Sequence, residues 1–137
     1  MHFTKAIVIM PFVAGTFAAS IYPRQFGRNP IACNVARFQI VSALADTSDS
    51  VDKIKDQTVA TAAKTGIDQA TNGIGEIAKA ILAGEAPPAA SRNETATGIT
   101  AATTALGGGD ASDPAVVSAQ SSIADAAKAG EDVVAQC

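Results

Sequence analysis

Two cysteines, one histidine and a ladder of aspartates at positions 46, 49, 52 and 56 are the side chains whose types and spacing could do chemistry in this chain. Cys33 stands in "NPIACNVARF" and Cys137 is the last residue, so the pair brackets nearly everything that follows an apolar leader. Thiols so placed are explained best by a disulfide formed in an oxidising compartment, with an intermolecular link through Cys137 as the alternative. The histidine is His2, which belongs to the leader. A processed chain therefore lacks imidazole, which removes Ser-His-Asp and Cys-His catalysis and histidine-bound zinc. In the aspartate ladder Lys53 and Lys55 are interleaved and Asp49 sits four residues before Lys53. That pattern reads as a solvated helix face with local ion pairs rather than a cation site. The glycine-rich stretches "GIGEIAKAILAGE" and "GGGD" fit neither phosphate-binding pattern and read as turns and small-residue packing. No catalytic, cofactor-binding or metal-binding residue is assigned, and the expectation is a protein that is not an enzyme and holds no cofactor.

The leader sets the compartment. "MHFTKAIVIMPFVAGTFAAS" has a basic start ending at Lys5, an apolar run from Ala6 to about Phe17, and small residues at Ala18, Ala19 and Ser20 suited to cleavage. It reads as a secretory signal over 1–19, followed by an N-terminal extension over 20–29 and one helical domain over 30–137. A membrane anchor would need roughly 18 or more apolar residues, and this run is shorter and broken by Pro11. No transmembrane segment is expected. The expected location is extracellular or the cell wall.

Net charge is −3 and becomes more negative once Lys5 leaves with the signal; nothing basic is clustered. Nucleic acid and anionic membranes are thus poor electrostatic targets. Hydrophobic residues form 47% of the chain and aromatics only 4%, so the apolar content is alanine with scattered Ile, Val and Leu. Alanine has the highest helix propensity, and the Ala-rich segments are interrupted where capping chemistry stands.

The caps divide the chain into four helices. Asn29 before Pro30 starts the first, over roughly 30–55, with Phe38, Val41, Leu44, Val51 and Ile54 near helical spacing. The second carries Ala63, Ile67, Ala70, Ile74, Ile77 and Ile81 and stops at Gly84. Its start is left open within "KDQTVATAAKTG", which contains no Gly or Pro breaker before Gly66. Ser91 and Glu94 form a capping-box pattern for a short third helix through Ile99 and Leu106. Asp113 before Pro114 starts the fourth, with Val116, Gln120, Ile123, Ala127, Gly130 and Val134 stepping by four and three. "TGIDQATNGI" also echoes "TGITAATTAL", for which Ala/Gly/Thr bias is the simpler reading.

Four amphipathic helices joined by short polar loops predict an all-α fold, an antiparallel up-and-down four-helix bundle. In that topology the start of the first helix and the end of the last meet at one end, so Cys33 and Cys137 close the bundle as one disulfide. Ala-rich seams bury little area per residue, whereas closing a loop of about 100 residues stabilises by about 4–5 kcal/mol in the chain-entropy model. The staple offsets a thin core. "NET" at Asn93 is an N-glycosylation sequon, expected exposed in the first turn of the third helix.

With its leader, its small Ala/Thr/Ser/Asp-rich helical body and phrases such as "SALADTSDSVDKI", "GITAATTAL" and "SAQSSIADAAKAGEDVV", the chain resembles small secreted fungal proteins of the hydrophobic surface-binding protein A family. The resemblance covers most of the processed chain as pattern and carries over no individual residue. It implies an extracellular or cell-wall glycoprotein that adsorbs to hydrophobic surfaces and helps recruit secreted lytic enzymes there. Two function classes follow. In one, a monomeric amphiphilic bundle binds a hydrophobic surface or lipid through apolar faces that separate at the hinge "GEAPPAASR", exposing Ile67, Ile74, Ile77, Ile81, Ile99 and Leu106. In the other, a rigid effector-like or cell-wall module recognises an extracellular protein or glycan through one exposed helical face.

Overall fold

A computed structural model describes residues 29–137. The predicted signal over 1–19, its cleavage site and all but the last residue of the extension over 20–29 lie outside the described residues. The described chain forms four helices: α1 (Pro30–Val51), α2 (Gln57–Leu82), α3 (Ala89–Gly107) and α4 (Pro114–Gln136). Each helix packs against its neighbours in a cycle closed by α1 against α4, which is the predicted up-and-down bundle. Among the described residues there is no strand.

The helix starts follow local capping chemistry. Asn29 accepts from the Ile31 amide at 3.0 Å and Asp113 from the Ala115 amide at 3.0 Å, each just before a proline that lacks an N–H to satisfy. Asp56 supplies the start of α2 that the sequence left open. Its Oδ1 accepts from the amides of Thr58 at 2.8 Å and Val59 at 3.3 Å. Gly84 ends α2 with φ of 74°, and the Glu85 amide donates back to the Ala80 carbonyl at 2.8 Å.

Two expected boundaries shift. The first helix ends at Val51 rather than near 55, because the chain turns there and tucks Ile54 into the core before Asp56 recaps it. The third begins at Ala89, and Ser91 is not its N-cap: Pro88 is the extended residue before the helix, while Ser91 is buried inside the first turn. The Ser91–Glu94 capping box is therefore not made.

Two expected core stripes also shift. Leu44, Val51 and Ile54 are buried as expected, but Phe38 and Val41 face solvent at 73% and 50% exposure, and Ala36, Ile40, Ala43 and Thr47 of α1 are buried in their place. On α4, Ala119, Ala126 and Ala129 join Val116 and Ile123 in the core, while Ala127 is exposed and Val134 is 74% exposed. Close packing between α1 and α4 explains both shifts. Small side chains let the two helices approach, and the larger ones are turned outward. Thr47 stays satisfied in this seam by donating its hydroxyl to the Ala43 carbonyl at 2.7 Å.

Candidate functional site

The four helices do not pack equally. The most extensive contacts join α2 to α3 and α1 to α4, while α1 to α2 and α3 to α4 meet much more sparingly. The bundle is built from two tight pairs.

In the α2–α3 pair, glycines allow backbone to meet backbone. A Cβ on Gly66 would come within 2.5 Å of the Ala102 nitrogen, and one on Gly98 would collide with the Ala70 nitrogen. The echoed phrases explain this reciprocity: Gly66 and Ala70 of the first face Gly98 and Ala102 of the second across the antiparallel crossing. The echoed glycines and alanines thus share one packing role. Near the start of α3, Gly73 leaves room for Thr95, whose hydroxyl donates to the Ser91 carbonyl at 2.9 Å. In the α1–α4 pair the Cys33–Cys137 disulfide joins Cα atoms 5.0 Å apart, Ile40 packs over Gly130, and the Ser50 and Ser118 hydroxyls share a hydrogen bond of 3.1 Å.

Side-chain size is distributed unevenly along the bundle axis. One end carries the 52–56 and 108–113 loops, and the opposite end carries the disulfide and the α2–α3 connection. Leu44, Val51, Ile54, Ile67, Ile99, Leu106, Val116 and Ile123 are buried in the loop half. In the disulfide half Ile40 is the single buried Ile, Leu or Val among the described residues, and the rest of the core there is mainly alanine. The exposed large apolar residues show the reverse bias. Ile31, Val35, Phe38, Ile81, Leu82 and Val134 stand in the disulfide half, with Leu82 88% exposed, while Val41 lies near the middle of α1 and Val117 at the loop end. Ile31, Val35 and Phe38 follow one another at steps of four and three, forming an apolar stripe on the outer face of α1.

The sequence-nominated apolar residues divide accordingly. Ile67, Ile99 and Leu106 are core, Ile74 and Ile77 are half-buried, and Ile81 is exposed. Sequence reading counted Phe38 among core residues and left Ile31, Val35 and Leu82 aside. The spacing 31, 35, 38 could have found the α1 residues, since it is an apolar stripe on the opposite side from Ala36, Ile40 and Ala43, whereas Leu82, the last residue of α2, carries no such signal.

The aspartate ladder disperses rather than converging. Asp46 borders an open groove of about 390 Å³ between α1 and α4, lined also by Phe38, Asp125, Lys128 and Asp132. Asp49 faces solvent, Asp52 pairs with Lys64 at 2.5 Å, and Asp56 caps α2. Hydrogen bonding to Asp52 holds the Lys64 ammonium above the usual lysine range. In the 108–113 loop the Ser112 amide donates to Asp110 at 2.8 Å and holds its carboxyl below the usual carboxylate range. Among the described residues no group of three or more His, Cys, Asp or Glu side chains is placed to hold a metal ion. No helix is long and apolar enough to cross a membrane among the described residues. Asn93 is exposed on α3, one helical turn later than expected, whereas the sequon's Thr95 is buried in the α2–α3 seam.

Comparison with protein-family models, curated proteins and solved structures finds no match to this chain.

Proposed function

We propose that this is a secreted, non-enzymatic amphiphilic protein of the extracellular space or cell wall that binds hydrophobic surfaces or lipids. The observation that carries the reading is the clustering of Ile31, Val35, Phe38, Ile81, Leu82 and Val134 in one half of the bundle. Apolar side chains already exposed in the folded protein can leave water against an apolar partner without any rearrangement of the core. The negative net charge favours an uncharged surface over an anionic one. The disulfide and the resemblance to secreted fungal surface-binding proteins support an extracellular location and a role in bringing lytic enzymes to such surfaces.

The α1–α4 groove favours a second reading. An aromatic side chain beside three carboxylates and a lysine is chemistry suited to a protein or glycan partner. Adsorption of the processed protein to hydrophobic polystyrene beads separates the two. Under the first reading the parent adsorbs, and Phe38→Ser with Leu82→Ser reduces adsorption while leaving the helical circular-dichroism signal intact. A parent that stays in solution eliminates the surface-binding reading and leaves the groove as the site to pursue.

A further inference from the structure

The two tight helix pairs are connected to each other by the chain only through the 52–56 and 108–113 loops, both at the same end of the bundle. At the other end each covalent link stays within a pair: the α2–α3 connection in one, Cys33–Cys137 in the other. Hydrogen bonding follows the same division. The Lys55 amide donates to Asp113 Oδ2 at 3.2 Å, Lys64 to Asp52, and Gln120 Nε2 to the Leu106 carbonyl at 2.8 Å, all joining the pairs at the loop end. Thr95 to Ala70 and Ser50 to Ser118 are ties inside a pair.

We propose that the molecule opens as a clamshell: the α2–α3 pair swings away from the α1–α4 pair at the disulfide end and turns about the two loops. The inner faces, with Ile40 on α1 and Ile74 on α2, then lie on an uncharged apolar surface, while Ile31 and Phe38 stay on the outer face of α1. This rests on the surface-binding reading and says which seams part. Three features set the direction. Burial in the disulfide half is mainly by alanine, which contributes little free energy per residue, while eight larger side chains hold the loop half together. The α2–α3 seam is fixed by close backbone contact around Gly66, Gly73 and Gly98, so a hinge at "GEAPPAASR" separating those helices would have to break the best-packed interface. The α1–α4 seam is held by the disulfide. The seams that remain are α1–α2 and α3–α4.

Thiol labelling in buffer tests the hinge without any surface. Ile40 and Val51 lie on α1 at 6% and 1% exposure, one in each half. Ile40→Cys is expected to react with a maleimide on the order of tenfold or more faster than Val51→Cys, because opening of one end requires less than global unfolding. Equal rates overturn the clamshell whether or not the protein adsorbs. Spin labels on exposed sites then read the adsorbed form on polystyrene nanoparticles. The Asn34→Cys to Ala78→Cys distance, across the pairs at the disulfide end, should lengthen by on the order of 10 Å, about one helix diameter. Ala78→Cys to Arg92→Cys, within the α2–α3 pair, and Asp49→Cys to Ala62→Cys, at the loop end, should stay constant. An unchanged Asn34–Ala78 distance on adsorbed protein, or a lengthened Ala78–Arg92 distance, refutes the proposed mode. Fast labelling at position 40 in a protein that never adsorbs keeps the hinge and removes the surface reading.

Discussion

The carboxylate of Asp113 accepts from the backbone amide of Lys55 at 3.2 Å, tying the loop before α2 to the first turn of α4. Its other oxygen caps α4 through the Ala115 amide, and the residue is buried. One side chain therefore both starts a helix and joins the two helix pairs.

Asp113→Ala should destabilise the fold by about 1–2 kcal/mol for the lost cap, with about 1 kcal/mol or more added by the orphaned Lys55 amide. Asp113→Asn keeps one carbonyl-type acceptor and should lose less. Urea unfolding followed by circular dichroism measures both. Equal losses for the two variants would show that charge, rather than acceptor geometry, governs the site.

The glycines of α2 and α3 should respond in opposite directions. Gly98→Ala pushes a methyl group into the Ala70 backbone and should cost about 1–3 kcal/mol or more. Gly75 has open space around it on the exposed face of α2, so Gly75→Ala should stabilise by about 0.5–1 kcal/mol through helix propensity. Thermal melts of the two single variants give the comparison, and a stable Gly98→Ala would contradict close backbone packing.

Removing the disulfide with Cys33→Ser and Cys137→Ser should cost about 2–5 kcal/mol, because the bond closes a long loop in the unfolded chain. The helical content at low temperature should persist, since the α2–α3 pair does not depend on the bond. The measurement is a melt of the parent with and without reductant beside the double variant, and unchanged midpoints would refute it.

Asp110 and Lys64 predict opposite pH responses. The Asp110 carboxyl is held low, so its contribution is present above the ordinary carboxylate range and is lost as pH falls through the lowered folded value. Lys64 is held high, so its contribution is complete below the ordinary lysine range and is lost as pH rises through the raised folded value. Asp110→Asn should flatten the acid side of the stability profile and Lys64→Met the alkaline side. Both residues are exposed, so solvent screening keeps the effects small. Carboxyl NMR showing Asp110 titrating in the ordinary range would defeat the first half.

Much of the architecture is local and was therefore written in the sequence. Asn29, Asp113 and Gly84 mark helix ends through contacts within a few residues of themselves, and the even number of helices brings Cys33 and Cys137 to the same end. Face assignment is not local. A chain whose apolar residues are mostly alanine offers several stripes of similar hydrophobicity, and which one is buried depends on how closely the partner helix approaches. On α1 the close partner α4 selects Ala36, Ala43 and Thr47 and leaves Ile31, Val35 and Phe38 outside. Ser91 fails as a cap for the same reason: the tight crossing at Gly73 requires a small buried residue there. The division into two pairs arises only in the tertiary structure, because steric complementarity between Gly66, Gly98 and their opposing alanines exists only once two distant segments meet.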